Sequence, residues 1–393
     1  MTLEICLACG AEGLRHFHEE PSVPAHSCLL LSSRDEAANY PRGRIDLGFC
    51  AACGFISNTA FDASLNEYSP KYEETQAYSA RFQKFARDLA RSWVADYDLY
   101  DRSVLEIGCG KGEFLVMMCE EGAGRGIGID PGTRPERIDS PAADRLTWIQ
   151  DLYSDRYGFI LTDAVVSRHT LEHIAPVGDM LTTIRRSIDN RMDTVVLFEL
   201  PDVRRVLDEI AFWDIYYEHC SYFSAGSMAR AFRTAGFDVV DLDLAFDDQY
   251  LLLAARPSAS TPREPVSPLE DDLEALSDSV DHFEKGYRDT VVHWREMLRS
   301  NRAAGGRTVI WGAGSKGVSF LSAMGDGDDI EYAVDINPHK HDMYMAGTGQ
   351  RIVAPEFLTE YQPDLVIAMN PVYLDEIGYK LRSLGVEAKL VSL

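Results

Sequence analysis

Residues 103–122 read SVLEIGCGKGEFLVMMCEEG, and no other stretch constrains the fold as tightly. A short apolar run leads into three glycines, Gly108, Gly110 and Gly112, and then into apolar residues at helical spacing. A strand that turns on glycines into a helix offers bare backbone N–H groups to a ligand at close range. The next strand signal, GRGIGID, ends on Asp130, where a carboxylate can accept both hydroxyls of a ribose. The glycines follow GxGxG, not the GxGxxG of dinucleotide sites, and Glu106 stands just ahead of them. A carboxylate there would repel a pyrophosphate but suits a cation.

LTWIQDLY, TDAVVSRHTLEHI and DTVVLFELPD continue the strand signals, and DVVDLDLAF with YLLLAARP closes the series as a hairpin. Helical stretches lie between most of them. The alternation predicts an α/β fold: a doubly wound sheet with an antiparallel hairpin at its edge. Upstream, Phe82, Phe85, Leu89 and Trp93 form one stripe of a helix expected within 72–95. Downstream, the Pro- and Ser-rich residues 256–268 read as a linker, followed by a helix from about Leu269 to Arg302. A second, Rossmann-like α/β unit of about four strands then begins at RTVIWGAGSKG.

In that unit Gly312, Gly314 and Gly317 do fit GxGxxG, and Asp335 follows 18 residues later. Alone, this spacing denotes NAD. The unit is about half the size of a full dinucleotide domain, so a nucleotide or phosphate of the substrate is expected at Gly314, with Lys316 as counter-charge. NAD and a ligand-free turn are the alternatives.

CLACG and CAACG place Cys6, Cys9, Cys50 and Cys53 in two glycine-trailed CxxC knuckles, forty residues apart. Two such knuckles make a tetrahedral zinc site with no open position, so the metal would be structural. A redox CxxC or two disulfides are the other readings. Cys28, Cys109, Cys119 and Cys220 are scattered and read as reduced, buried thiols. The expected units are a zinc module at 1–70, the main α/β domain at 71–257, linker and helix at 258–304, and the smaller α/β domain at 305–393. A net charge of −25 argues against nucleic acid and anionic membranes as partners. No apolar run approaches a membrane span and no signal peptide is legible, so a cytoplasmic location is expected, with no protein partner evident.

The Glu106–Gly112 motif resembles the first motif, E/DxGxGxG, of class I S-adenosylmethionine methyltransferases. The whole layout resembles the three-domain sugar C-methyltransferases, which methylate nucleotide-linked 4-keto-deoxy sugars. YYEHCSYFS looks like that family's EH-x-x-(Y/F)-F-S signature, HTLEHI like its NTLxHI segment, and IWGAGSKG like its C-terminal glycine motif. The resemblance implies catalytic roles for Tyr216, Glu218, His219 and His173. It implies donor contacts at Glu106 and Asp130, and Gly108, Gly110, Asp151 and His169 are further donor-site candidates. His169 stands where the family pattern often has asparagine, and Glu172 replaces a small residue.

Methylation of carbon needs a carbanion, which a neighbouring ketone makes accessible as an enolate. His219 is the expected base, Tyr216 the donor to the enolate oxygen, and Glu218 the carboxylate that supports the imidazole, with His173 as the rival base. Tyr217, Tyr222 and Phe223 are assigned to packing. The expected activity is therefore S-adenosylmethionine-dependent C-methylation of a nucleotide-linked keto-deoxy sugar. O- or N-methylation of another small molecule is the alternative.

Overall fold

The computed structural model describes residues 4–66, 71–259, 264–325 and 329–393. Residues 260–263, within the expected linker, lie outside the described set, as do 1–3 and 67–70 of the expected zinc module. Three sheets organise the chain.

The first is formed by β1 (Arg15–Pro24), β2 (Arg42–Phe49) and β3 (Ile56–Asn58), all antiparallel. The central sheet takes β4 (Ser103–Ile107), β5 (Arg125–Ile129), β6 (Leu146–Ile149), β7 (Ala164–Arg168) and β8 (Val195–Pro201). A two-residue strand, β9 (Ser221–Tyr222), then returns to the first sheet and pairs with β3. The hairpin β10 (Phe237–Ala245) and β11 (Tyr250–Pro257) completes the central sheet in the order β6-β5-β4-β7-β8-β11-β10. Only β11 runs against its neighbours, so the hairpin enters the sheet by its second strand. This seven-stranded, doubly wound sheet is the fold that the class I resemblance implied.

Alternate residues of the central strands face opposite layers. Val104, Val166 and Leu197 meet the helices Ala80–Asp96 and Glu113–Glu120, while Leu105, Val165 and Phe198 meet Val177–Ile188 and Ala225–Thr234. The first of these helices starts at Ala80, not in the low 70s, because the Ser79 hydroxyl caps it by accepting from the Phe82 N–H.

The third sheet is parallel: β12 (Thr308–Trp311), β13 (Tyr332–Val334), β14 (Arg351–Val353), β15 (Leu365–Ala368) and β16 (Lys389–Ser392), ordered β14-β13-β12-β15-β16. It has five strands where about four were expected. The missing one, β14, is three residues long and carries no periodicity to read. A 31-residue helix, Leu273–Ala303, precedes this sheet. The units share cores: Phe17, Leu47 and Ile56 pack in one cluster with Trp213, Phe283, Ile310 and Phe320. No helix among the described residues is long and apolar enough to cross a membrane.

Candidate active site

The connections from β4 and β7 leave the central sheet in opposite directions, opening a crevice at the carboxyl edge of these neighbouring strands. Gly108 lies at its floor with φ +71, and a Cβ there would sit 2.0 Å from Thr170 Oγ1, so the two loops touch only because this residue is glycine. Gly110 donates its N–H to Asp130 Oδ2 at 3.1 Å, and Gly132 donates to Oδ1 at 2.6 Å. The loop and the carboxylate expected to bind the donor are thus held together.

Four buried or half-buried carboxyls surround this loop. Burial pushes Glu106 up to about 8 and Glu74 up to about 7, and raises Asp130 and Glu113 as well. Glu106 Oε2 has no hydrogen-bond partner among the described residues, and Glu74 Oε2 faces Lys111 Nζ at 3.4 Å. The one lysine of the loop, Lys111, is buried and donates to the Tyr72 carbonyl at 2.6 Å and the Gly132 carbonyl at 3.2 Å. Such a cradle fits a cationic sulfonium ligand and disfavours a pyrophosphate. Asp151 lies beyond β6, and its carboxylate accepts from the Leu152 N–H at 2.8 Å and the Tyr157 hydroxyl at 2.5 Å.

Across the crevice, Tyr216 and His219 meet at 2.9 Å between hydroxyl and Nε2. Burial holds His219 well below its ordinary range and Tyr216 well above its own. The imidazole is therefore neutral, and its Nε2 shares one hydrogen bond with the phenol. His173 packs edge-on against the His219 ring at 4.7 Å. Glu172 belongs to the same cluster: a carboxylate oxygen of Glu172 and ring nitrogens of His173 and His219 lie within 4.8 Å of one another. Tyr217 is fully buried, and its hydroxyl accepts the Asp62 N–H at 2.8 Å; Phe223 is fully buried too.

Glu218 does not support the His219 ring, contrary to expectation. Its Oε1 lies 2.5 Å from Nδ1 of His26, and its Oε2 accepts the Ser27 N–H at 2.9 Å. Although burial opposes it, His26 and Ser27 hold the Glu218 carboxyl below its usual range. His169, expected at the donor, adopts φ +48 and bridges two acids, with Nε2 3.0 Å from Glu199 Oε1 and Nδ1 3.6 Å from Glu172 Oε1. Burial works against its charge, but Glu199 and Glu172 outweigh that and bring it to about 9.

The second glycine loop sits beside this cluster. Ser315 Oγ, at the start of the helix Ser315–Met324, accepts from Ser27 Oγ at 2.7 Å. Nothing stands within 4 Å of a Cβ built on Gly314, so space opens there. Lys316 is already ion-paired with Asp214, which also binds Arg205 at 2.6 Å. Lys340 is the lysine beneath the loop, 3.1 Å from the Ala313 carbonyl and 3.4 Å from Asp335 Oδ2. Asp335 also accepts from the Ala313 N–H at 2.9 Å, so the carboxylate that would take a ribose is engaged.

The four cysteines converge as the knuckles predict. Cys6 Sγ lies 3.6 Å from Cys53 Sγ, and Cys9 Sγ 3.7 Å from Cys50 Sγ. A tetrahedral zinc with ~2.3 Å bonds needs sulfurs about 3.8 Å apart. The knuckles match each other: Gly10 returns its N–H to Cys6 O and Gly54 to Cys50 O, both at 2.8 Å, and both glycines have positive φ. Hydrogen bonding with Cys53 lowers the Cys6 thiol below its ordinary range. All eight cysteines are free of disulfides.

Sequence reasoning missed His26, Ser27 and Ser315, which have no local pattern. It also passed over Arg168 and Glu199, which had a signal: Glu199 is a charged residue inside the otherwise apolar strand VVLFELP, Arg168 ends the buried strand AVVSR, and their Nε and Oε2 lie 2.5 Å apart.

Comparison with known proteins agrees with this layout. The methyltransferase-domain family matches residues 76–242, and the C-methyltransferase C-terminal domain family matches residues 269–391. The C-methyltransferase NovU of Streptomyces niveus is 24% identical over 394 residues, covering 95% of this chain and 91% of that protein. Among solved structures, the riboflavin-analogue dimethyltransferase RosA of Streptomyces davawensis is 19% identical, with a TM-score of 0.37 over 45% of this chain and 54% of that one. An O-methyltransferase family protein of Burkholderia thailandensis is 18% identical, with a TM-score of 0.38 over 46% of this chain and 57% of that one. TM-scores this low mark partial likeness only. The two domain matches and the full-length relative carry the assignment: the chain joins a methyltransferase domain to a C-methyltransferase C-terminal domain and is an S-adenosylmethionine-dependent C-methyltransferase.

Proposed function

We propose that the protein methylates a carbon next to the ketone of a nucleotide-linked keto-deoxy sugar, with His219 as the base. The observation that carries this reading is the 2.9 Å contact between Tyr216 and a neutral, buried His219 at the sheet edge. In the free site the phenol caps Nε2. A substrate ketone draws the Tyr216 hydroxyl onto its oxygen and leaves Nε2 open to the α proton. The C–H pair becomes the enolate double bond, the proton goes to His219, and Tyr216 donates to the oxyanion. The enolate carbon then takes the methyl group, and the C–S pair remains on sulfur. S-adenosylmethionine supplies that electrophilic methyl.

Glu106, Gly108, Gly110 and Asp130 hold the donor on this reading, and the open space at Gly314 takes the nucleotide with Lys340 beneath it. Cys6, Cys9, Cys50 and Cys53 hold one structural zinc. The units 1–70, 71–257 and 305–393 thus supply frame, donor site and nucleotide site.

The test is solvent deuterium exchange at the substrate's α carbon with S-adenosylhomocysteine bound. Exchange that falls by about 10²–10⁴-fold in His219→Asn supports the reading. Methylation of a substrate with no exchangeable α proton overturns it and points to O- or N-transfer. Exchange that survives in His219→Asn but is lost in His173→Asn moves the base to the loop after β7.

A further inference from the structure

Glu172 is 2% exposed, and neither of its carboxylate oxygens has a hydrogen-bond partner among the described residues. A buried carboxylate left so is costly unless a charge answers it. Two imidazoles face it: His169 through Nδ1 at 3.6 Å and His219 through Nε2 at 4.0 Å. Its backbone is fixed from the same side, since the Cys220 N–H donates to the Glu172 carbonyl at 3.0 Å. Behind His169 stands Glu199, and behind Glu199 stands Arg168, whose guanidinium lies 4.0 Å over the Phe114 ring. The row Arg168, Glu199, His169, Glu172 alternates in charge and sums to zero before it reaches His219.

We propose that Glu172 is the counter-ion of the base: it compensates the charge that His219 acquires on taking the substrate proton, and His169 holds it in place for that moment. This inference rests on the proposed enolate mechanism and adds a residue to it. Glu172 acts through His219 and is a positioning residue. The geometry explains why a carboxylate is needed. The groups facing His219 are Tyr216 at hydrogen-bond distance, the His173 ring at 4.7 Å, the Tyr222 ring at 6.2 Å and Glu172. His173, His169 and Lys316 all disfavour a positive His219. Glu172 alone among these neighbours carries the sign that a protonated ring requires, because Glu218 is turned away to His26.

A double-mutant cycle tests the assignment on the full chain, with S-adenosylhomocysteine bound and a thymidine-diphosphate-linked 4-keto-6-deoxyhexose as probe. In the presence of His219, Glu172→Gln is expected to slow α-proton exchange by at least about tenfold. In the His219→Asn background the same change is expected to cost nothing further, because the charge it answers never forms. Glu172→Asp restores part of the exchange. The pH profile supplies a readout that a purely structural role would not move. The acid limb of exchange shifts to lower pH in Glu172→Gln by about 1–3 pH units, and to higher pH in His169→Asn, which removes a cation. Equal losses in both backgrounds, or shifts in the same direction for both variants, would overturn the proposal. Absence of exchange in the wild-type chain would instead overturn the carbanion reading, and is read separately from the cycle.

Discussion

Nδ1 of His26 lies 2.5 Å from Oε1 of Glu218, so a residue of the cysteine-bearing region holds the acid of the loop that carries His219. Two strands make the same connection through the backbone: Ile56 pairs with Tyr222 and Ser57 with Ser221. Those pairs begin three residues after Cys53. The cysteine cluster and the loop that carries His219 are therefore one mechanical piece.

Metal removal follows from that link. Chelation, or Cys9→Ser, is expected to loosen the knuckles and, through β3 and β9, residues 216–222. Hydrogen–deuterium exchange should show both segments losing protection together, while S-adenosylhomocysteine still binds. Elemental analysis should find one zinc per chain. Protection lost in the knuckles alone would show that the pairing with β9 does not transmit.

The base assignment gives the largest kinetic effect. His219→Asn is expected to lower turnover by about 10²–10⁴-fold with donor affinity unchanged. Tyr216→Phe should cost less, because the phenol stabilises charge and does not take the proton. Glu218→Gln should act mainly on stability, since its partners are His26 and Ser27. Thermal melts and turnover measured side by side separate the two kinds of loss.

Asp130 joins the donor loop to the end of β5. Asp130→Ala is expected to weaken S-adenosylmethionine binding by about 1–3 kcal/mol, through lost hydrogen bonds to the ribose and through release of the Gly110 N–H. Calorimetry decides the point. Tight NAD binding at this site would contradict the reading.

Donor binding should also depend on pH. Glu74 and Glu106, raised to about 7 and about 8, are partly protonated near neutrality in the empty site. A cationic sulfonium favours their ionised forms, so binding releases protons and affinity rises with pH from about 6 to about 9. S-adenosylhomocysteine lacks the sulfonium charge, and its affinity should rise less. Parallel titrations of the two ligands give the comparison, and identical slopes would show that the carboxyls ignore the charge. In the absence of ligand the same two groups act in the opposite sense on stability. Each binds its proton more tightly folded than unfolded, so stability falls as pH climbs from the ordinary carboxylate range to about 8.

The legible parts of this protein were the local ones. Ser103–Glu120 announces strand, turn and helix within a single stretch, and each CxxCG knuckle closes on itself by hydrogen bonds five residues apart or fewer. β9 and β14 escaped because strands of two and three residues exist only through their neighbours. β1 and β2 were likewise unread, since RHFHEEPSVP shows no clean alternation. At the site, the residue types of YYEHCSYF pointed to proton chemistry, but the partner of each acid did not follow from spacing. The motif resemblance sets Glu218 beside His219 as its support, yet the Glu218 carboxylate meets His26, far upstream in the chain.

The helix Leu273–Ala303 has 31 residues and so runs about 46 Å. Its residues Phe283, Val291, Trp294 and Leu298 pack in the cluster that includes Phe17, Trp213 and Phe320. It is a strut, and its pitch sets how the third sheet is aimed. Residues added near Val266, in the exposed stretch before it, only lengthen a tether. A single residue added inside it would rotate everything beyond by about 100° and carry Gly314 off the crevice. Homologous chains should therefore vary freely in tether length and hold the count of this helix fixed, and grafts between them should be cut before Leu273, never within it.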